Sequence, residues 1–316
     1  MKNTLRYRVW GLRVLGLLPL IVLAGFSGCA TPNRMALNPA YKPDVGTTQT
    51  TVCLTQQEIG TDITQSNITA ATGGGLIFAL IDAGIENSRA KKAEKHVVPV
   101  RDALVGYNLG EVLNASLKAQ LAPRDWLKAG TFNIQQVPTL ASLNDWIKNA
   151  EGDSLLLINT QYRFSPKFDA ITVSARVSLH PKQGPLTAQT KVHQNLPPLV
   201  YFNAFSATFR MSDWPAEAPD AEAAVKLWAE DGGKRARAAL DAGAEEIARM
   251  LAFDLEQPGT VGDALYEAAA GSPKYDGAVP LPGASTALIV SGHKVHTENN
   301  RTWLRCPTGE LASVGP

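Results

Sequence analysis

Apolar residues recur in this chain at intervals of two in some blocks and of three to four in others, and each block predicts an element. Period two marks strands. Thr48 to Thr55 places Val52 and Leu54 on one side, and Thr131 to Val137 alternates Phe132 and Ile134 against polar neighbours. Ser154 to Phe164 is the most apolar strand candidate. Phe168 to His180 follows it, with Ile171, Val173, Ala175, Val177 and Leu179 inward and Thr172, Ser174, Arg176 and Ser178 outward. That alternation predicts a half-exposed antiparallel strand. Two more strands are expected at Leu186–Gln194 and Leu199–Met211, separated by Pro197-Pro198.

Helical spacing fills the intervals. Ile77, Ile81 and Ile85 make one stripe, in the segment ATGGGLIFALIDAG and its charged continuation. After Pro99, Leu104, Leu109, Val112, Leu113, Leu117 and Leu121 share a broad face, although Gly106 and Gly110 interrupt it. Thr139 to Ala150 carries Leu140, Leu143 and Ile147 on one side. Asp220 is a sensible N-cap for a helix that pauses at Gly232-Gly233. The helix resumes with Leu240, Ala244, Ile247, Leu251 and Leu255 on one face and Arg235, Glu245, Glu246 and Arg249 on the other. The implied class is α/β (α+β): a mixed sheet with packed helices, a long antiparallel ribbon and a small C-terminal β element. No repeat of solenoid length occurs.

The one long apolar run without a period is at the start. Lys2, Arg6, Arg8 and Arg13 precede Val14–Phe26, which carries no charge and is too short to span a bilayer. Phe26-Ser27-Gly28-Cys29 ends it as a bacterial lipobox would, with Phe26 in place of the usual leucine. Residues 1–28 then read as a lipoprotein signal peptide, and Cys29 as the acylated residue. A plain secretory signal with a chance cysteine is the alternative. Ala30 stands where aspartate would argue for the inner membrane, so the expected place is the outer membrane, periplasmic face. Residues 29–47, rich in proline and polar side chains, read as a lipidated tether. Residues 48–270 form a periplasmic α/β domain, 271–285 a Pro/Gly-rich connector, and 286–316 the C-terminal β element.

Loss of the signal changes the charge balance. Lys+Arg falls from 30 to 26 while Asp+Glu stays at 29. A chain near −3 has no basic excess to hold nucleic acid. With Cys29 consumed by lipid, Cys53 and Cys306 remain, and an oxidising periplasm suggests one disulfide between them. Two separately buried thiols are the alternative.

Candidate chemistry is thin. The glycines of ATGGGLIFALIDAG are followed by no G-K-[ST], so no phosphate loop is read there. His293 and His296, three apart in an expected strand, should face opposite ways and make poor joint metal ligands. No G-x-S-x-G elbow exists, and the pair Glu245-Glu246 is expected on a solvated helix face. No catalytic, cofactor-binding or metal-binding residue is assigned, and no cofactor.

The run EGDSLLLINTQYRF, hinged to FDAITVSARVSLH, resembles the α/β module of the TolB N-terminal domain and of curli and exopolysaccharide secretion lipoproteins. The resemblance covers roughly Thr48–Gln194 and rests on pattern. It implies a non-catalytic envelope assembly part, with a homo-oligomer among the options and no functional residue carried over. The expected function is a lipid-anchored periplasmic scaffold or assembly partner, non-enzymatic, attached to the outer membrane through acyl chains on Cys29 and meeting an envelope protein partner. Its expected interface is the ribbon face that bears Arg176. The alternative is a carrier for a lipid or other apolar ligand, with Tyr201, Phe202, Phe205 and Phe209 lining its pocket; an envelope hydrolase ranks last.

Overall fold

The structure, a computed structural model, describes residues 34–54, 56, 58–61, 93–136, 140–182, 198–211, 214–215, 219–257, 292–306 and 309–315. The lipobox, the Ile77–Ile85 stripe, the expected strand Leu186–Gln194 and the connector 271–285 lie outside them. Described strands are β1 (Thr48–Leu54), β2 (Gly60–Thr61), β3 (Ala129–Gln136), β4 (Ser154–Phe164), β5 (Ala170–Pro181), β6 (Tyr201–Arg210), β7 (His293–Glu298), β8 (Arg301–Arg305) and β9 (Leu311–Val314). Helices are α1 (helical over 93–103), α2 (Leu109–Leu121), α3 (Leu140–Asn149) and α4 (Ala221–Glu256).

All nine strands form one mixed sheet, in the order β3-β1-β4-β5-β6-β9-β8-β7, with β2 pairing farther along β4. β1 runs parallel to both β3 and β4, and β6 parallel to β9. The β4–β5–β6 ribbon is antiparallel, with Leu156 opposite Leu179 and Leu179 opposite Tyr201. This is the expected class, and the alternation in β5 falls as its pattern predicts: Val173, Val177 and Leu179 are buried while Arg176 is exposed.

One face of the sheet carries the main core. Leu156 and Ile158 of β4, Val173 and Val177 of β5, and Tyr201 and Phe205 of β6 pack with Val97 and Val100 of α1, Leu113 and Leu117 of α2, and Leu240, Ile247 and Leu251 of α4. On the other face Ile147 and Ala150, at the end of α3, close over Leu155. Because β4 is covered on both faces near its start, its sequence there is a continuous apolar run rather than an alternation.

Four expectations need correction. The span after Pro99 is two helices: Pro99 lies within α1, the chain turns at 104–106, and Asn108 caps α2 by accepting from the amides of Gly110 and Glu111 at 3.0 and 3.3 Å. Gly106, at φ +78°, sits in that turn. The tether is shorter than expected. Leu37 and Val45 are fully buried, Pro39–Asp44 is a 3-10 helix, and Met35 bridges to Phe202, so residues 34–47 belong to the fold. The C-terminal element does not stand apart either, because β9 inserts between β6 and β8. Finally, Cys53 and Cys306 are free and buried. Four strands separate β1 from β8, about 24 Å at the ordinary strand spacing. A disulfide tolerates a Cα separation of only about 7 Å, so this sheet holds the two thiols apart.

Candidate functional site

The sheet face opposite α4 is where the ribbon meets solvent. Even-numbered β5 residues and their neighbours across the ladder point there: Asn159, Gln161 and Arg163 from β4, Ser174 and Arg176 from β5, Ala204 and Ser206 from β6. Together with Glu310, ahead of β9, they line an open groove of about 610 Å³. Arg163 donates to Gln161 Oε1 at 2.7 Å, which fixes both side chains along the floor. Arg176 is exposed at the centre. The lining offers two guanidinium groups, one carboxylate, an amide pair and two hydroxyls, with Ala175, Ala204 and Phe205 among them.

The thiols do not contribute a nucleophile. Burial pushes the Cys53 thiol up to about 12. Burial, with the Glu310 carboxylate beside it, does the same to Cys306 despite the opposing charge of Arg305. Both therefore stay protonated at neutral pH, and it is the thiolate that attacks.

One serine–histidine contact went unread in the sequence. Ser178 Oγ lies 2.9 Å from His180 Nε2, and His180 Nδ1 lies 2.8 Å from the Pro198 carbonyl. Burial lowers the His180 pKa, against the opposing effect of that carbonyl. The imidazole is thus neutral, its Nδ1–H donated to Pro198 and its Nε2 accepting the Ser178 hydroxyl. Such reach matches a nucleophile and its base, but catalysis also needs donors aimed at a developing oxyanion. Here the serine sits on an interior strand whose neighbours β4 and β6 pair along this stretch, so its backbone amides are committed to the sheet ladders. The contact satisfies a buried ring.

The strongest electrostatics lie on the α4 face and join elements. Asp254 is fully buried and accepts from Tyr201 Oη and Asn203 Nδ2, both at 2.8 Å, from Arg305 at 2.6 Å and from Arg34 at 3.2 and 3.3 Å. Burial alone would raise its carboxyl, but the charges of Arg305 and Arg34, helped by the hydrogen bonds from Arg305 and Tyr201, hold it below the usual carboxylate range. Two turns earlier Glu246 accepts from Trp303 Nε1 at 2.7 Å and Arg301 Nε at 3.3 Å, and pairs with Ser313 and Arg249. The expectation of a solvated Glu245-Glu246 pair therefore fails for Glu246, which is 1% exposed. Helical period places it with Ala239, Gly243 and Met250 on the sheet side, a position a carboxylate can occupy only because β8 brings arginine to it.

The histidine geometry also differs from expectation. A register shift between Lys294 and His296 sets His293 opposite Arg305 and His296 opposite Trp303, so the bulge turns both toward one face. His296 stacks against Trp303, with ring centroids 4.5 Å apart, and against Phe253. Among the described residues no group of three His, Cys, Asp or Glu side chains gathers as a metal site. No helix there is long and apolar enough to cross a membrane.

No family model, curated protein or solved structure matches this chain.

Proposed function

We propose that this protein is a lipid-anchored periplasmic scaffold, a non-enzymatic assembly partner in the outer membrane that meets a protein partner through the Arg176 groove. The anchor is argued from the basic start, the uncharged run and the Phe26–Cys29 box. The observation that carries the rest is the groove itself: a hydrogen-bonding surface of about 610 Å³ on the ribbon face, with Arg176 exposed at its centre. Anchoring confines the domain to a surface and raises its effective concentration there, so a shallow polar contact is enough.

The carrier alternative would use the aromatic residues of β6; Tyr201 packs into the core against α4, whereas Phe205 joins that core and also borders the groove beside Ala175 and Ala204. Ser206 and Arg176 are the sites to replace by a photo-crosslinking amino acid in cells, with Glu222 on the exposed start of α4 as the control. Protein adducts at 176 and 206 that are absent at 222 are the expected result. Recovery of lipid alone, or the same adducts at all three positions, would overturn the reading.

A further inference from the structure

The way the N-terminal segment enters the fold fixes more than its own conformation. Met35 donates its amide to the Phe202 carbonyl at 2.7 Å and accepts from the Phe202 amide at 2.9 Å. Arg34 is clamped by Asp254 and lies against the turn at Gly309. Gly309 has φ +97°, and a side-chain carbon built there would stand 2.5 Å from Arg34 Cβ, so only glycine admits this packing. From Arg34 the chain crosses one end of the sheet, past the starts of β6, β4 and β1. Lys42 pairs there with Glu256 at the end of α4 at 2.6 Å, and Trp126, after α2, donates to the same carboxylate at 3.0 Å.

We propose that this end of the molecule is the surface that rests on the lipid bilayer. The inference rests on the reading that Cys29 is acylated. Four residues separate Cys29 from Arg34, and whatever their conformation the five steps of chain reach at most about 18 Å. The acyl chains hold Cys29 at the level of the headgroups, so the clamped Arg34 is confined to within about 18 Å of them. A tether extending to residue 47 would let the domain tumble; one that stops at Arg34 keeps one end down. The side chains at that end suit a headgroup layer. Met35 is 37% exposed, Tyr41 and Trp126 are half-buried, and the Lys42 ammonium lies 4.9 Å from the Trp126 ring. Aromatic bodies with polar tips and long-stemmed lysines settle at that interface.

The other end is then set away from the membrane. β4 runs from Ser154 at the anchored end to Phe164, a rise of about 33 Å. α4 runs alongside it, from Trp228, whose indole donates to Phe168 O at 2.7 Å, down to Glu256. The β4–β5 turn at Ser165–Asp169 therefore projects into the periplasm, and the groove runs up the side of the domain from Glu310, near the anchored end, to Arg163, toward the far end.

The test uses the full chain, extracted from membranes with its lipid and reconstituted in phosphatidylethanolamine–phosphatidylglycerol vesicles. Ala40→Cys and Asp125→Cys place a dye at the anchored end and Lys167→Cys places one at the far end; Cys53 and Cys306 are buried and stay unlabelled. Energy transfer to a headgroup-labelled acceptor lipid reads the height of each. The expected result is heights within about 20 Å of the surface at 40 and 125, and a height greater by about 30 Å at 167, from the length of β4. Equal heights, or position 167 nearest the lipid, overturn the orientation. The mass of the Cys29 peptide from the same sample separates the two claims. An acylated peptide with equal heights leaves the anchor standing and sinks the orientation, whereas an unmodified peptide removes both.

Discussion

Asp254 gathers four donors from three distant parts of the chain: Arg34 near the start, Tyr201 and Asn203 in β6, and Arg305 in β8. Among the described residues the carboxylate is the acceptor the four share. Replacing it removes the carboxylate that pairs with the Arg34 and Arg305 guanidinium groups among the described residues. A buried charge stripped of its partner costs about 3–5 kcal/mol, well above the loss of a single neutral hydrogen bond. Asp254→Ala is therefore expected to lower the urea-unfolding free energy by that amount, whereas Asp241→Ala, which removes only the bond from Tyr107 at the surface, should cost far less. A difference below about 1 kcal/mol between the two would show that the cluster does not hold the fold together. This residue could not be singled out from the sequence. On period alone an acid near the end of a long helix reads as a solvated terminus, and the arginine that makes its burial tolerable lies 51 positions away.

At the scale of elements, α4 is two helices joined end to end. Glu230 leaves the helix and Asp231, Gly232 and Gly233 adopt φ of +52°, +68° and +75°. A left-handed backbone costs a residue with a side chain roughly 1–2 kcal/mol, which is why the pause falls on a glycine pair. The two glycines differ in surroundings. Gly232 faces open space, whereas a carbon added at Gly233 would meet Ala103 Cβ at 3.1 Å, where α1 ends. Gly232→Ala should cost only the backbone strain, and Gly233→Ala that strain plus the displacement of α1. Urea midpoints for the two variants check this, and equal losses would mean that α1 does not bear on the joint. The pause itself was legible, since two adjacent glycines in an amphipathic run are a strong break signal. So were the limits of β4 and the in–out order of β5, because alternation reports burial directly. The split between α1 and α2 was not. Gly106 and Gly110 looked alike in the sequence, yet Gly106 takes a left-handed turn while Gly110 is an ordinary helical residue that lets Ile134 and Leu54 approach. The His293–His296 relation failed for a related reason: a bulge adds one residue to the count, and strand period cannot foresee it.

At the scale of the whole molecule, the sheet is completed by the segment a pattern analysis sets apart. β9 pairs with β6 through Phe205–Leu311, Ser206–Ala312 and Ala207–Ser313, and with β8 on its other side. Its shortness hid this. Four residues bounded by turns look like an appendage, and nothing local says that they occupy an interior place. Removal of residues 306–316 should expose the backbone edges of both β6 and β8. The expected result is a chain that aggregates on gel filtration and is cut rapidly by protease at low enzyme ratio, while retention of a monomeric, resistant body would contradict it. The pairing also has a consequence in time. Phe205 and Leu311 are 106 positions apart, so a chain delivered with its N-terminus first presents β6 long before the partner that covers it. Until then the β4–β5–β6 ribbon offers a bare edge, and Asp254 and Glu246 stand without Arg305 and Arg301. A chain halted before β9 would keep that β6 edge uncovered, the exposure that invites pairing with other chains.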